Sequence, residues 1–367
     1  MISLEIPIRN YPLTKRPGSA IFVKMIPVNA AGTTRMDFMT TSLLDRLYAG
    51  QSNRRLFFRQ GWGNLDLLNE IDRAGFSRSE AQPVEIRWDS PAKRGDAVII
   101  RRGSFQSPFQ GAGFPDESRT GYVELILPKG TPRKTPVCLH LAATGDEGFG
   151  RRRAVFGLPL ARRGIGSLIL ENPFYGRRRP PDQHRKMLNR FSDLWTMGRA
   201  TVEEGRSLLL WLREAGFERL GVCGISMGGH MAARIGALSP EPVAIAACVP
   251  PHSAGAVFTE GILRHYLAWD ILNRQLDGYG RAIDFMRRIL GLTDIRNYPL
   301  PVRPDAAFLV AAARDAYIPP ESVSILHRHW AGSSLNWVNT GHVGAFLFHR
   351  RDFLEAAVRA FSRLEVP

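Results

Sequence analysis

Residues 220–235 have the sequence LGVCGISMGGHMAARI, and this stretch decides the fold. Its first four residues are apolar and predict a buried strand, while residues 229–235 predict a helix. Between them, Gly224–Gly228 match the pattern G-x-S-x-G, in which a serine occupies a turn so tight that its neighbours must be small. The helix that follows places its N-terminal N–H groups beside the serine oxygen. The order strand, turn, helix therefore predicts that Ser226 is a catalytic nucleophile, with a purely structural turn as the alternative.

The composition limits the class of protein. Of the 367 residues, 44% are hydrophobic and 23% are charged, which excludes wholesale disorder and suffices for one large α/β domain or two small ones. No segment approaches the length of apolar sequence that spans a membrane, so we expect no membrane span. The first residues show no basic segment followed by an apolar one, so we expect no secretory signal and a cytoplasmic protein. Peripheral contact at a membrane surface stays open.

Short apolar runs alternate with helical segments over much of the chain. This alternation predicts an α/β fold with a mostly parallel central sheet flanked by helices, because strands that are buried on both faces are continuously apolar. A long helix is predicted at Ser192–Ala215. The predicted strands of the parallel part are Pro136–Ala142, Gly166–Leu170, Leu220–Gly224, Pro242–Val249 and Ala306–Ala312.

The same pattern predicts three regions. Residues 1–80 are interpreted as an N-terminal extension, irregular at first and then helical, that packs on the core. Residues 81–251 and 305–367 are interpreted as the core itself. The fourth and fifth predicted strands are separated by about 55 residues, far more than a normal connection. Residues 252–304 are therefore predicted to form a helical cap inserted into the core.

A nucleophilic serine needs a base, and the base needs an acid that orients it. Where such a serine turn occurs, the acid and then the histidine follow it along the chain. Asp315 comes just past the strand predicted at Ala306–Ala312, where the sites of parallel sheets form. His342 follows in a predicted loop between glycines. We therefore predict a triad of Ser226, Asp315 and His342; a helix cap for Asp315 and an ordinary loop position for His342 are the alternatives.

The negatively charged oxygen of a tetrahedral intermediate needs two N–H donors. One predicted donor is the backbone of Met227, directly after the serine. The second is predicted in the loop at residues 142–146, where small side chains let the backbone approach a substrate. We favour the backbone N–H of Thr144, with Ala143 as the alternative.

The sequence gives no sign of a metal or cofactor. Cys138, Cys223 and Cys248 lie inside apolar runs, and their odd number and irregular spacing argue against a disulfide framework or a zinc site. Glycine-rich loops of the phosphate-binding types are missing. We predict no cofactor and no metal ion, and we expect the three thiols to be reduced and buried.

Positive charge is concentrated in one part of the chain. The net charge is +15, and residues 151–190 hold ten arginines and one lysine against two acidic residues. Two arginine loops follow strands on the side of the sheet where Ser226 is expected, so Arg153, Arg177 and Arg178 are predicted to bind an anionic group of the substrate. A solvated basic face and arginines that bond backbone carbonyls are the alternatives. The cluster lacks a recognition motif or an aromatic ladder, so we expect no nucleic-acid partner.

Several of these stretches resemble the α/β-hydrolase superfamily and, more narrowly, the α/β-hydrolase-domain-containing protein 18 family. The resemblance extends over residues 55–360 and implies an α/β-hydrolase fold with Ser226, Asp315 and His342 as the triad. The sequence departs from the family at Ala143, where a glycine is usual, and in a shorter cap. The resembling stretches are Arg59–Gly63, Pro136–Ala142, Thr144–Asp146, Arg151–Arg153, Leu170–Gly176, Gly224–Ala232, Asp315–Pro319 and Gly341–His342.

Together, the predicted triad and the resemblance favour a serine hydrolase that cleaves a carboxylic ester, similar to an esterase or a lipase. A small-molecule or lipid ester, or an anionic one, is the expected substrate. An acyltransferase that uses the same residues is one alternative. The other is a non-catalytic protein of this fold that binds an anionic membrane or nucleic acid.

Overall fold

The computed structural model describes residues 41–70, 80–89, 93–94, 97–130, 135–276 and 281–364. The predicted N-terminal extension lies largely outside this range, because residues 1–40 and 71–79 are not among those described. One sheet of ten strands organises the described part of the chain. Its strands are β1 (Arg87–Trp88), β2 (Lys93–Arg94), β3 (Val98–Gln106), β4 (Thr120–Pro128), β5 (Val137–Leu141), β6 (Gly166–Leu170), β7 (Leu220–Ile225), β8 (Ala244–Cys248), β9 (Ala307–Ala312) and β10 (Ser334–Val338).

The strand order of this sheet is β1-β3-β4-β6-β5-β7-β8-β9-β10, and β2 pairs with β3. Every pair from β6 across to β10 is parallel. The pairs that involve β1 to β4 are antiparallel. The prediction of a mostly parallel sheet is confirmed, and the five predicted parallel strands end within two residues of the observed ones.

Helices cover both faces of the sheet. The long helix predicted at Ser192–Ala215 is confirmed and runs from Phe191 to Glu214. The α-helices are α1 (Leu43–Ser52), α2 (Leu65–Glu70), α3 (Asp116–Arg119), α4 (Gly150–Arg152), α5 (Leu158–Ala161), α6 (Phe191–Glu214), α7 (Met227–Leu238), α8 (Trp269–Arg274), α9 (Ala282–Gly291), α10 (Pro320–His329), α11 (His342–Phe348) and α12 (Arg350–Leu364). No described helix combines the length and the apolar character that crossing a bilayer requires.

Two apolar layers enclose the central strands. Because side chains alternate along a strand, Val222 of β7 packs in the layer under α6 and α7, while Cys223 packs in the layer under α12. Leu208 of α6 belongs to the first layer and Phe353 of α12 to the second, and both are fully buried. This arrangement brings the carboxyl ends of the parallel strands to one edge, where loops can form a site.

The predicted cap region, residues 252–304, contains α8 and α9 together with π-helical and 3-10 turns. Trp62 connects it to the core: the indole is fully buried, with ring centroids 4.9 Å from Phe191 of α6 and 4.8 Å from Phe285 of α9. The indole N–H donates to the carbonyl oxygen of Leu272 in α8 at 2.8 Å. Gly61 precedes it with a φ of +80°, a conformation that favours glycine. The division into an extension, a core and a cap stays a prediction.

Candidate active site

Ser226 lies on a strained turn between β7 and α7. Its φ is 59° and its ψ is −120°, a backbone conformation that residues other than glycine rarely adopt. The serine N–H donates to the carbonyl oxygen of Cys248 at 2.8 Å, which fixes the turn to the next strand. A side chain at Gly224 would clash with the backbone of Gly228, and one at Gly228 would clash with the carbonyl oxygen of Leu141. These contacts explain why the pentapeptide needs both glycines.

Asp315 and His342 form a largely buried hydrogen-bonded pair. His342 Nδ1 donates to Asp315 Oδ2 at 2.6 Å, and Asp315 is 4% exposed. The other carboxylate oxygen accepts the backbone N–H groups of Tyr317 and Ile318, each at 2.8 Å. The carboxylate is therefore held in one orientation and fixes the direction of the imidazole ring.

The surroundings of this pair exclude one alternative drawn from the sequence and differ from the sequence interpretation at His342. The following helix, α10, begins at Pro320 and has Pro319 at its cap position, so Asp315 does not cap that helix. His342 is the first residue of α11 and not part of a loop. The ring of Tyr317 lies against it, with centroids 5.1 Å apart.

Burial and neighbouring charges shift the protonation of both groups. Burial raises the pKa of Asp315 above its usual value, although the hydrogen bond from His342 acts in the opposite direction. Burial alone would lower the pKa of His342, but the carboxylate of Asp315, and after it that of Asp45, outweigh this effect and raise the pKa. The charged form of the imidazole is therefore stabilised, as a base that must accept a proton requires.

Ser226, Met227 and Thr144 line one cavity of about 60 Å³. His342 does not line this cavity, and within the described residues no hydrogen bond joins it to Ser226. The structure thus brings the serine to the predicted oxyanion donors, and the aspartate to the histidine. Hydrogen bonds between such groups often tighten only when substrate binds. The rest of the lining is mostly apolar: Phe57, Tyr175, Leu188, Leu194, Met197, His230, Met231, Pro251, Ala254, Val257 and Phe258.

The loop that carries Thr144 is held by its neighbours. The N–H of Asp146 donates to the carbonyl oxygen of Ala143 at 3.0 Å, and Gly145 within this turn has a φ of +77°. Arg152 pairs with Asp146 at 2.9 Å, and both side chains are buried. Thr144 lines the cavity beside Ser226, whereas Ala143 does not. The role of Thr144 as an oxyanion donor stays a prediction.

Arg178, one of the three predicted substrate arginines, is fully buried in the scaffold. Its guanidinium pairs with Glu204, with one N–H to carboxylate distance of 2.8 Å, and donates to the carbonyl oxygens of Glu171 and Ser118. The prediction that Arg178 contacts the substrate is therefore corrected, because the side chain is fully buried and both terminal nitrogens of its guanidinium already donate inside the protein. The alternative of an arginine that bonds carbonyls describes it better.

The other two predicted arginines are partly exposed and paired. Arg153 donates twice to the Glu124 carboxylate, each time at 2.6 Å. Arg177 pairs with Glu171 at 2.9 Å and lies 3.8 Å from the ring centre of Tyr122. Neither lines the cavity beside Ser226. Substrate contact by Arg153 and Arg177 stays a prediction.

Buried carboxylates offset much of the charge that the sequence concentrates in residues 151–190. Glu124, Asp146, Glu171 and Glu204 are each at most 3% exposed and each pairs with an arginine of that segment. All of them except Glu171 lie outside the segment in sequence. A count along the chain therefore overstates the local positive charge.

The sequence predicts no role for two residues near the site. Asp45 of α1 is fully buried and accepts backbone N–H groups on both sides of the aspartate–histidine pair. It follows Ser42 by three positions, which is an ordinary helix-capping pattern. The sequence around Asp45 therefore indicates only a helix start and no role in the site. His230 of α7 lines the same cavity as Ser226. A histidine one turn into a helix has no local pattern that marks it.

One group of described side chains has the composition of a metal site. The ligand atoms of Cys138, His140 and Cys223 lie within 4.8 Å of one another, and all three residues are buried. His140 Nε2 is already hydrogen-bonded to Ser167 Oγ at 2.9 Å. The three cysteines of the chain are free and buried, as small apolar side chains often are. None of these residues lines the cavity beside Ser226, and the prediction of no metal stays a prediction.

The fold and the site together define a class of protein. A mostly parallel sheet with a serine on a strained turn between strand and helix, and an aspartate–histidine pair after later strands, is the α/β-hydrolase fold. The chain belongs to the family described as alpha/beta hydrolase domain containing 18, whose model matches residues 55–283 and 280–363. The resemblance drawn from the sequence is thereby confirmed.

Two solved structures share this fold at low sequence identity. The chain is similar to an acetyl xylan esterase from Paenibacillus sp. R4, with a TM-score of 0.52 and 15% identity over 85% of this chain and 99% of that one. It is similar to acetyl xylan esterase 1 from Thermoanaerobacterium sp. JW/SL YS485, with a TM-score of 0.52 and 15% identity over 84% and 98% of the two chains. At this identity the likeness concerns the fold alone.

Proposed function

We propose that the protein is a serine hydrolase that cleaves a carboxylic ester through an acyl-enzyme. The observation that carries this proposal is the 2.6 Å hydrogen bond between His342 and Asp315, at the sheet edge where Ser226 lies on its strained turn. A nucleophile, a base and an orienting acid are the parts that acyl transfer needs. They come in the chain order typical of this fold.

In the proposed reaction, Ser226 Oγ attacks the ester carbonyl carbon while His342 Nε2 takes the hydroxyl proton. Asp315 holds the other ring nitrogen, which keeps the tautomer correct and stabilises the imidazolium. The backbone N–H groups of Met227 and Thr144 bond the oxyanion. The bond to the alcohol then breaks, and the alcohol leaves with the proton from His342. Water attacks the acyl-enzyme in the same way and releases the carboxylic acid and the free serine.

The cavity beside Ser226 supports a short acyl group. Its volume is about 60 Å³ and its lining is mostly apolar. A single water needs roughly 10–15 Å³ of such space, so the cavity has room for about four to six groups of the size of a water molecule. We expect the enzyme to prefer esters of short acids over esters of long fatty acids.

A fluorophosphonate probe, which reacts only with an activated serine, tests the proposal. We expect the wild type to be labelled and Ser226→Ala not to be labelled. Ser362→Ala is the matched control, because Ser362 is an exposed serine on α12. Equal labelling of wild type and Ser226→Ala would overturn the proposal.

Substrate preference is then measured with p-nitrophenyl acetate, butyrate and octanoate. We expect kcat/KM to fall as the acyl chain lengthens, because the cavity is small. A preference for octanoate would contradict the short-acyl proposal and favour a lipase-like substrate. Formation of a new ester in the presence of an added alcohol would favour the acyltransferase alternative.

We further propose that an apolar patch on α1 and α11 contacts an anionic lipid surface. The patch consists of Leu43, Leu47 and Tyr48 of α1 and Leu347 and Phe348 of α11, two helices that pack on each other. Leu43, Leu47 and Phe348 are 70%, 63% and 74% exposed, although apolar side chains of this size usually lie inside. His342 begins the same helix α11, so the patch adjoins the candidate site.

The charge around this patch favours anionic lipid over a neutral partner. Within residues 41–60 and 342–352 there are two acidic side chains, of which Asp45 is buried and Asp352 is partly buried and pairs with His349 at 3.0 Å. The segments carry exposed arginines instead: Arg46, Arg54, Arg55, Arg59, Arg350 and Arg351. An apolar face flanked by cations matches the interface of an anionic bilayer.

Sedimentation with vesicles of phosphatidylcholine, with and without phosphatidylglycerol, tests this contact. We expect binding to the mixed vesicles, and loss of that binding in Leu47→Ser combined with Phe348→Ser. Leu300→Ser is the control, because Leu300 is an exposed leucine on the segment before β9. Equal binding by all variants, or none by the wild type, would overturn the proposal. A dimer that dissociates on the double substitution would identify a second copy as the occupant.

A further inference from the structure

Helix α1 buries its acidic residue and exposes its leucines. Asp45 has no exposed surface, whereas Leu43 and Leu47 of the same helix are 70% and 63% exposed. A surface helix ordinarily does the reverse, because a buried carboxylate loses its hydration. Such an inversion indicates that the carboxylate makes specific contacts that compensate for its burial.

Those contacts all lie on the two segments that carry the candidate acid and base. Asp45 Oδ2 accepts the N–H of Ala316 at 3.0 Å and that of His342 at 2.9 Å. Asp45 Oδ1 accepts the N–H of Val343 at 2.9 Å. One side chain therefore bridges the residue after Asp315 to the backbone of His342 itself.

We propose that Asp45 is a positioning residue that holds His342 at the distance and angle at which it can reach Ser226. This inference rests on the proposed function and adds an element to it, because α1 precedes the core in sequence. Three hydrogen bonds to one carboxylate fix the segment after Asp315 and the start of α11 relative to each other, and charge-assisted bonds of this kind are the strong ones. The two segments are also joined by the N–H of Arg314, which donates to the carbonyl oxygen of Thr340 at 2.9 Å, and by the Asp315–His342 bond.

Asp45→Asn is the variant that tests this role. An amide keeps the shape but offers one acceptor oxygen, so its NH2 group must face at least one backbone N–H that it cannot bond. We expect kcat to fall by roughly 10²-fold, the order of effect of misplaced catalytic groups, with KM little changed. His342 is in contact with two carboxylates, those of Asp315 and Asp45, and with the ring of Tyr317. Removal of one of the two negative charges lowers the pKa of His342, so the acid limb of kcat/KM moves to lower pH.

Two controls separate positioning from simple destabilisation of α1. Ser42→Ala removes the cap of α1, which accepts the N–H of Asp45 at 3.4 Å, and leaves the carboxylate in place. Asp66→Asn neutralises an exposed acid on α2. We expect Ser42→Ala to lower the melting temperature without moving the acid limb, and Asp66→Asn to change neither.

The outcomes distinguish this inference from the proposed function. Failure of the fluorophosphonate to label the wild type would reject the proposed function itself. Labelling of the wild type, with the same kcat and acid limb in Asp45→Asn, would overturn the positioning role alone. An acid limb that moves equally in Ser42→Ala would also overturn it, because the effect would then belong to the helix and not to the carboxylate.

A second inference follows from His230, which the proposed mechanism does not use. It is 2% exposed and lines the cavity beside Ser226. Its Nδ1 donates to the carbonyl oxygen of Pro251 at 2.9 Å, which leaves the lone pair on Nε2. That buried nitrogen has no hydrogen-bond partner in the described part of the chain. A buried acceptor without a donor is unfavourable unless a ligand supplies one.

Here we infer that His230 Nε2 accepts a hydrogen bond from a hydroxyl group on the acyl part of the substrate, so that the enzyme selects esters of short hydroxy acids. This also rests on the proposed function. The cavity is otherwise nearly apolar, so one acceptor in it can discriminate strongly. Burial, and next the charge of Arg234, lower the pKa of His230 to about 3, so the ring is a neutral acceptor at neutral pH.

Matched p-nitrophenyl esters of lactate and propionate, which differ in one hydroxyl, test the selectivity. We expect the wild type to favour lactate in kcat/KM by ~10-fold or more. His230→Leu should abolish this ratio while it still hydrolyses propionate, and His230→Gln, which keeps an acceptor, should retain part of it. A ratio near one in the wild type, or the same ratio in His230→Leu, would overturn the inference. Hydrolysis of both esters by the wild type would leave the proposed function intact.

Discussion

The hydrogen bond between His342 and Asp315 controls when the candidate base can act. A histidine must be neutral to take the proton of Ser226, and the carboxylates of Asp315 and Asp45 raise the pKa of His342 against the effect of burial. kcat/KM should therefore fall as the pH drops through this raised pKa. The acid limb then lies above the usual pKa of a histidine side chain, which is about 6.5.

Asp315→Asn tests this dependence at the level of one residue. The substitution removes the negative charge that raises the pKa of His342, so the acid limb moves to lower pH. An amide also favours the wrong imidazole tautomer, so kcat should fall by roughly 10³- to 10⁴-fold. A pH series of kcat/KM on p-nitrophenyl acetate measures both effects. An unchanged limb together with an unchanged kcat would show that Asp315 does not orient the base.

Arg178 and Arg177 are neighbours in sequence but should respond differently to removal. Arg178→Ala leaves the fully buried carboxylate of Glu204 without its partner, and loss of one partner of a buried pair costs about 3–5 kcal/mol of unfolding free energy. Arg177→Ala should cost less, because its side chain is half exposed and Glu171 keeps the backbone N–H of Gly148. Urea unfolding measures the difference. Equal losses would contradict the structural assignment of Arg178.

Arg177→Ala also tests the remaining prediction of an anionic substrate. If Arg177 binds such a group, kcat/KM should fall for an ester with a carboxylate on its alcohol part and stay unchanged for a neutral ester. Arg163→Ala is the control, because Arg163 pairs with Glu355 of α12 on the protein surface. An equal response of both esters to Arg177→Ala would remove the arginine from the substrate site.

Among the helices and strands, the strands that are buried on both faces could be predicted from the sequence. β5 to β9 are short apolar runs, and a local pattern marks such strands well. The cap was harder, because its π-helical and 3-10 turns at 256–266 do not repeat every 3.6 residues. Ser226 and Asp315 each come just after one of these strands and His342 comes after β10, whereas Asp45 contacts His342 across 297 positions of sequence. No local pattern contains a contact of that range.

Trp62 is the side chain that should most affect the connection between the core and the cap. Its indole is enclosed by Phe191 and Phe285 and bonded to Leu272, so Trp62→Ala should cost about 3–5 kcal/mol of unfolding free energy. Trp62→Phe keeps most of the apolar contact and loses the N–H bond, so its loss should be smaller. Urea unfolding gives both values. If Trp62→Ala lowers the unfolding free energy by less than an ordinary surface substitution, other contacts must hold the core and the cap together.

For the whole molecule, the distribution of charge in space matters more than the net charge of +15. Buried carboxylates pair with many of the arginines in residues 151–190, so that segment is less positive in the fold than in the sequence. The exposed arginines beside the apolar patch on α1 and α11 have no exposed acid within their own segments. The positive surface that a partner meets is therefore expected at this patch.

A change of ionic strength should distinguish vesicle binding at the apolar patch from ester turnover at the cavity beside Ser226. The screening length falls from about 10 Å at 0.1 M salt to about 3 Å at 1 M, so binding to vesicles that contain phosphatidylglycerol should weaken steeply with salt. Turnover of p-nitrophenyl acetate should change little, because the cavity beside Ser226 is small and mostly apolar. Arg54→Gln combined with Arg55→Gln should start from weaker binding and show a flatter dependence on salt. Vesicle binding that is independent of salt would mean that the leucines and the phenylalanine act alone, and that the arginines take no part in the contact.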